Sequence, residues 1–302
     1  MNAGACVSGL EPVGRAAVER WDAGRLHVAA RWGPLLRAHG FDTLESLMQL
    51  GGGQRMRAVP GRSTVRIELA GPGGGTQVFF LKRYAPEYWK GWRRVGRWLR
   101  WPGAQDEAQR EWEAIHRLRA HGFQTAEPVA FGQERRGGMV TRSFLLTAEI
   151  PRATAAHELL PQLRGEARRR LIRELAEWTA RFHGAGFAHK DLYLSHFFVA
   201  PAGAGDGPQV FCIDLARLIR PRWLRTRWLI KDLAQLAYSA RCAGARRAEL
   251  LRFYKICFRR ARLNAGDRRF IRRVWRRVKR LERRPPRYDV LWDQPGVRPR
   301  GV

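Results

Sequence analysis

The stretch Arg181-Phe182-His183-Gly184-Ala185-Gly186-Phe187-Ala188-His189-Lys190-Asp191-Leu192, with Ile213-Asp214-Leu215 downstream, constrains this chain more than any other feature. Apolar residues at helical spacing run to Phe182, and the glycines at 184 and 186 close that helix, so Asp191 falls on a loop. Asp214, 23 residues later, ends a short apolar run. A helix, a His-x-Asp loop, a strand and an apolar-Asp-apolar turn supply two acids in a fixed order. Phosphoryl transfer from a metal-bound nucleotide needs such a pair. One carboxylate orients the attacking hydroxyl and the other holds the divalent ion that bridges the phosphates.

The rest of the chain divides by periodicity. Trp32 to Leu50 carries apolar residues at helical spacing broken by Gly40, which predicts two short helices. Thr64–Leu69 alternates, the glycines from 71 to 75 make a turn, and Gln77–Lys82 is strand-like, so the two strands are read as an antiparallel hairpin. A helix is predicted from Ala104 to Ala120, then strands over Ala126–Phe131 and Met139–Glu149. After Pro151 the pattern turns helical: 159–163, 168–182, 224–242 and 246–262, with 201–208 read as a hairpin loop. A strand-rich first half with one main helix and a helix-rich second half predict an α+β fold of two lobes. The expected division is an N-terminal extension with short helices at 1–54, a first lobe at 55–150 and a second at 151–302. Residues 1–20 read as a loose lead-in.

The formal charge is +30, from 57 Lys and Arg against 27 Asp and Glu, nearly all of the excess being arginine. Such a field attracts anions: nucleic acid, an acidic membrane surface or an acidic substrate. A GC-rich genome writing arginine for lysine accounts for part of it. Two segments concentrate the charge. Tyr88, Trp89, Trp92, Trp98 and Trp101 interleave with Arg93, Arg94, Arg97 and Arg100. The tail, 268–287, sets Phe270, Ile271, Val274, Trp275, Val278 and Leu281 at helical spacing among arginines, a basic amphipathic helix. The first segment could stack on bases, sit at a membrane interface, or pack its tryptophans on its own lobe. Cys6, Cys212, Cys242 and Cys257 show no metal spacing and read as reduced thiols. No basic-then-apolar leader and no apolar window of membrane-spanning length are evident, so a cytoplasmic location is expected.

The form His189-Lys190-Asp191-Leu192-Tyr193-Leu194-Ser195-His196-Phe197-Phe198, with Ile213-Asp214-Leu215-Ala216-Arg217 after it, resembles the bacterial lipopolysaccharide kinase (Kdo/WaaP) family. The likeness extends roughly from Arg31 to Leu236 and is most specific at the two acid motifs. It implies a bilobal protein-kinase-like fold, with ATP and Mg²⁺ as cofactors. It also implies, as partner, a sugar of the lipopolysaccharide core or another anionic glycolipid. With such a substrate, peripheral contact with the cytoplasmic face of the inner membrane is expected and a nucleic acid partner is not.

Carried onto this sequence, the resemblance assigns Asp191 the acceptor hydroxyl and Asp214 the metal. His189 would bond backbone near Asp214 and shape the loop. Lys190 takes the place of the usual arginine and either contacts the γ-phosphate or is solvated. His196 stands where kinases commonly carry a metal-binding asparagine, and either binds the ion or supports the loop; Mg²⁺ prefers oxygen. Lys82, at the end of an apolar strand, would pair the nucleotide phosphates, with Glu111 as its ion-pair partner and Glu107 as the competitor. Asp232 resembles the buried acid that braces the catalytic loop. Leu215-Ala216 replaces Phe-Gly, so the switch of regulated protein kinases is not expected. No GxGxxG precedes Lys82; Gly61, Arg62 and Ser63 occupy that turn and could offer N–H groups and charge to phosphate oxygens, or simply be exposed.

Two rival readings remain open on the sequence. One is a protein kinase or another small-molecule phosphotransferase on the same scaffold. The other is a catalytically inactive kinase-like module that binds anionic membrane or nucleic acid.

Overall fold

The computed structural model describes residues 17–59, 61–71, 74–85, 106–201 and 207–284. The Trp/Arg segment 88–101, the glycine-rich turn at 72–73, most of the 201–208 loop and the end of the basic tail lie outside them. Packing divides the chain into two units. Among the described residues, one contains those up to 108, with 115–123 and 128–148; the other contains 109–114, 124–127 and those from 149 on.

The N-terminal unit is built on strands β1 (Val18–Trp21), β2 (Leu26–Ala29), β3 (Gln54–Val59), β4 (Arg62–Ala70) and β5 (Thr76–Tyr84), with helices α1 (Gly33–Ala38) and α2 (Leu44–Gln49) between β2 and β3. Helix α3 (Glu107–Ala120) follows, then β6 (Gln124–Thr125), β7 (Pro128–Arg136) and β8 (Met139–Ala148). Among the described residues, seven strands form one antiparallel sheet in the order β1-β2-β7-β8-β5-β4-β3. The predicted hairpin is β4–β5, with Val65 opposite Leu81 and Thr64 opposite Lys82.

The sequence set residues 1–54 apart as an extension, and here the structure corrects it. Strands β1 and β2, which have no clear alternation, join the sheet edge at β7. Leu26, Val28, Trp32, Leu36, Leu44 and Leu47 pack in one core with Phe79, Leu81, Phe144 and Leu146. Burying side chains of this size stabilises by about 1.5–3 kcal/mol each, so the described part of the extension is integral to this unit. Arg83 strengthens the attachment by donating to the Leu47 and Leu50 carbonyls at 3.0 and 2.6 Å. Since strand side chains alternate, Arg83 faces α2 and Lys82 faces the other side of the sheet.

The C-terminal unit holds β9 (Thr154–Ala155), α4 (Ala156–Gln162), α5 (Gly165–Gly184), β10 (Phe197–Ala200), β11 (Gln209–Cys212), α6 (Arg225–Cys242), α7 (Arg247–Cys257) and α8 (Ala265–Arg283). Strands β6, β11, β10 and β9 make a small sheet in that order, β6–β11 being parallel. Leu171, Leu175, Trp178 and Phe182 line the buried stripe of α5 at i, i+4, i+7 and i+11. Trp178 meets Phe197 edge-on at 4.9 Å, which fixes β10 against this helix. Helix α8 starts at a capping box, Asn264 bonding the Asp267 N–H and Asp267 bonding the Asn264 N–H. Val278 is buried, whereas Arg268, Arg269, Arg272, Arg273, Arg276, Lys279, Arg280 and Arg283 are exposed as a basic ridge. Among the described residues no helix is long and apolar enough to cross a membrane.

Candidate active site

Helix α5 stops in a Schellman-type turn in which Phe187 N–H bonds the Phe182 carbonyl and Gly186 takes φ 86°. Ala188 then exchanges both backbone bonds with Ile219 at 2.9 Å, so the chain enters His189-Lys190-Asp191 in a fixed direction. Asp232, fully buried on α6, accepts the His189 N–H on Oδ2 at 2.8 Å and the Lys190 N–H on Oδ1 at 2.9 Å. Burial raises the Asp232 carboxyl to about 7, against the two N–H bonds, which favour its ionised form. Lys231 Nζ donates to the Lys190 carbonyl. Lys190 itself lies at φ 71°, and its ammonium sits over the Trp228 ring at 5.5 Å.

The β10–β11 hairpin aligns the second acid. Phe197 pairs with Cys212, and the Ile213 N–H bonds the His196 carbonyl at 3.0 Å, so His196 and Asp214 flank the end of one ladder. His196 Nδ1 donates to the Asp191 carbonyl at 2.8 Å, which in a neutral imidazole leaves the Nε2 lone pair facing Asp214 Oδ2 at 3.7 Å. His189 is buried, and its Nε2–H donates to the Ile213 carbonyl at 3.2 Å. Desolvation lowers His189 to about 4, with His196 acting in the same direction, so it is neutral at pH 7. Asp214 takes φ 57°, a second non-glycine residue in the left-handed region beside the site.

Asp191 is not alone. Its Oδ2 lies 2.7 Å from Arg217 Nη1, and its Oδ1 lies 3.6 Å from Lys231 Nζ and 3.4 Å from Gln235 Nε2. Gln235 also donates to the Tyr193 hydroxyl at 3.0 Å. The imidazole of His196 and the carboxylate of Asp214, 3.7 Å apart, are close enough to share one divalent ion, with Asp214 the oxygen donor that Mg²⁺ prefers. Among the described residues no three His, Cys, Asp or Glu side chains gather into a closed metal cage.

In the N-terminal unit Lys82 sits on β5, between Thr64 of β4 and Leu145 of β8. Gly61, at φ 80°, helps reverse the chain between Val59 and Arg62, the tip of the β3–β4 hairpin, and its carbonyl accepts the Ala85 N–H at 3.0 Å. Ser63 pairs with Ala58 and Arg83 in register. Arg62 lies over the Tyr84 ring at 5.3 Å and 3.7 Å from Glu107 Oε2, so its charge is engaged within this unit. Glu107, the competitor for Lys82, is therefore beside Arg62. Glu111 is buried in α3, in the stretch that belongs with the other unit.

Residues 65–256 match the Lipopolysaccharide kinase (Kdo/WaaP) family. The chain belongs to that family. The lipopolysaccharide core heptose(I) kinase WaaP of Escherichia coli is 31% identical over 228 residues, covering 72% of this chain and 82% of that protein. The Pseudomonas aeruginosa enzyme of the same name is 32% identical over 232 residues, covering 73% and 81%. A solved structure of WaaP in complex with acyl carrier protein superimposes with a TM-score of 0.59 at 28% identity, covering 83% of this chain and 95% of that one. As a Kdo/WaaP family member the chain is a kinase with the protein-kinase-like α+β fold: a β-rich N-terminal unit with one main helix and a mostly helical C-terminal unit.

Against this family background, the sequence placed Asp191, His189, Lys190, His196, Asp214 and Asp232 in one neighbourhood, and the C-terminal unit brings all six together. Arg217, Lys231 and Gln235 were missed as site residues. A signal existed: Lys231 and Gln235 sit one turn apart on the helix that carries Asp232, and Arg217 follows Asp214 by three residues.

Proposed function

We propose that the chain transfers the γ-phosphate of ATP to a sugar hydroxyl, of a heptose or Kdo, in the lipopolysaccharide inner core. The relatives named as core heptose kinases support this substrate class. The observation that carries the mechanism is His196, whose two ring nitrogens address the Asp191 backbone and the Asp214 carboxylate. It couples the acceptor-orienting acid to the metal-holding acid in one rigid unit.

In this reading Asp191 accepts a hydrogen bond from the attacking hydroxyl and aligns it in line with the departing nucleotide. Asp214 and His196 would hold Mg²⁺, which when bound would supply positive charge to offset that of the phosphates. Lys82 is assigned to the nucleotide phosphates, and Gly61, Arg62 and Ser63, at the turn into β4, offer N–H groups and charge of the kind phosphate oxygens accept. Lys190 is committed to Trp228 and supports the loop. The strained backbone at Lys190 and Asp214 favours a preset geometry over one assembled by substrate. The exposed ridge of α8 supports a peripheral position on the cytoplasmic face of the inner membrane, where cations meet anionic headgroups.

The test is incubation with labelled ATP and Mg²⁺, offering purified core lipopolysaccharide in one arm and a protein extract in the other. Label in the lipopolysaccharide is expected. Label only in protein would replace the reading with a protein kinase. Absence of any nucleotide-dependent thermal shift, together with salt-sensitive retention on anionic surfaces, would replace it with an inactive binding module.

A further inference from the structure

Around Asp191 the C-terminal unit gathers more positive charge than its acids offset. Arg217 lies on Oδ2 at 2.7 Å and Lys231 faces Oδ1 at 3.6 Å. Arg277, on α8, acts electrostatically on both Lys231 and Tyr193, as Arg217 does, and Arg227 acts on Arg277 in turn. Among the described residues the nearby carboxylates are Asp232, Asp191 and, beyond His196, Asp214. Asp232 has both oxygens on the backbone of the loop, which leaves Asp191 to face the cations. Lys231 is largely buried, and that desolvation lowers its pKa in spite of Asp191. Arg217 differs: its side chain is 57% exposed while one nitrogen holds Asp191, so much of its donor fork is open to solvent.

An arginine fork of this kind binds carboxylate or phosphate oxygens in pairs. It also occupies the oxygen that a hydroxyl would use, since an ion-paired carboxylate is a weaker proton acceptor. Both features are met by one event: an anion on the acceptor takes Arg217, and Asp191 Oδ2 becomes available to the hydroxyl.

We propose that Arg217 and Lys231 form an acceptor subsite for an oxyanion carried on or beside the reacting sugar, and that filling it draws Arg217 off Asp191. This rests on the sugar-kinase reading and adds to it. The subsite makes charge on the acceptor a condition of good turnover. A neutral saccharide leaves Arg217 on Asp191 and is a poor substrate. Arg217 is here a specificity and positioning residue, acting through Asp191.

The experiment uses the full chain and three forms of the core acceptor: native, with sugar carboxylates reduced to alcohols, and dephosphorylated. For the wild-type protein, removing the recognised anion is expected to lower kcat/KM about tenfold or more, and which form fails tells carboxylate from phosphate. Arg217→Gln is expected to raise the KM of the native acceptor to that of the form lacking the anion, and on that form to turn over faster than wild type, because Asp191 Oδ2 is then unoccupied. Arg217→Lys should recover part of the native-acceptor affinity, and the KM for ATP should stay within about twofold throughout. Equal losses on charged and uncharged acceptors, or an Arg217→Gln protein with the native acceptor KM, would overturn the proposal. If no core form is phosphorylated, the sugar-kinase reading fails by itself, and the subsite is read another way. With the nucleotide site filled by a magnesium complex of a non-hydrolysable ATP analogue, glucuronate or inorganic phosphate should raise the melting temperature of wild type and not of Arg217→Gln. No such difference would end the subsite as well.

Discussion

Asp232 accepts the backbone N–H of Lys190 at 2.9 Å, and Lys190 stands at φ 71°. A left-handed conformation costs a residue with a side chain roughly 1–2 kcal/mol, so the loop holds it only because its surroundings fix both ends of the peptide. Asp232 takes the N–H and its neighbour Lys231 takes the carbonyl, both from α6. The direction of Asp191, the next residue, follows from that pair of bonds.

Asp232→Ala should therefore be costly. Two backbone N–H groups lose their acceptor, at about 1–3 kcal/mol each where they stay buried. Urea unfolding followed by tryptophan fluorescence should show stability reduced by about 3 kcal/mol, with Asp232→Asn intermediate because its amide keeps one acceptor oxygen. Both variants falling within about 0.5 kcal/mol of wild type would show that the brace does not hold the loop.

Stability should fall on mild acidification. Burial holds His183 and His189 at about 4, below the ordinary histidine value of 6.5, so the unfolded chain binds protons there that the folded one refuses. That loss begins near pH 6.5 and is complete near pH 4. Asp232, raised to about 7 from 3.8, works the other way: the folded state keeps its proton over the same interval and loses stability as pH rises toward 7. Burial lowers His27, His116 and His157 as well, so the histidines together outweigh the one aspartate and unfolding takes up protons between pH 4 and 6.5. Denaturation midpoints across that range measure it, and a flat or inverted profile would contradict the assignment.

Asp191 and Asp214 should separate by assay. Asp191→Ala is expected to keep Mg-ATP binding and lose about 10²- to 10⁴-fold in transfer, the range of a positioned proton acceptor. Asp214→Ala should lose the Mg²⁺-dependent part of nucleotide binding, seen as a thermal shift that no longer responds to the metal. Wild-type transfer by Asp191→Ala would remove its assigned role.

The proposed reading gives His196 two functions, ion contact and loop support, that different substitutions divide. His196→Asn offers Mg²⁺ an amide oxygen and should retain a metal-dependent nucleotide shift, while His196→Leu should lose it. Should the leucine variant respond to Mg²⁺ as wild type does, the histidine would be a support for the loop and not an ion contact.

The basic ridge of α8 predicts adsorption to anionic vesicles that weakens with salt. Replacing Arg268, Arg272 and Arg276 by glutamine removes three exposed charges, each worth about 1 kcal/mol near such a surface, so binding should drop roughly a hundredfold at low ionic strength. Co-sedimentation with vesicles of rising anionic lipid content checks it; equal binding by the triple variant would place the membrane contact elsewhere or nowhere.

Much of the C-terminal unit was readable because its signals are local. The i, i+4 and i+7 stripe of Leu171, Leu175 and Trp178, the glycine stop and the two acid motifs are set by neighbours a turn or two away. Strands β1 and β2 were not readable. Leu26, Val28 and Ala29 are buried almost without alternation, and their partner β7 lies about a hundred residues on.

The amino-acid order alone determined which acids follow which helix, where α8 is charged and where it is greasy, and that Lys82 lies on a strand, though β5 runs on past it to Tyr84; each depends on spacing within one element. Only tertiary structure decided that Arg217 closes on Asp191, that Asp232 reaches back 42 residues to Lys190, and which nitrogen of His196 meets Asp214. Hydrogen bonds and ion pairs act over about 3 Å, and a chain has no such distances until packing against distant segments creates them.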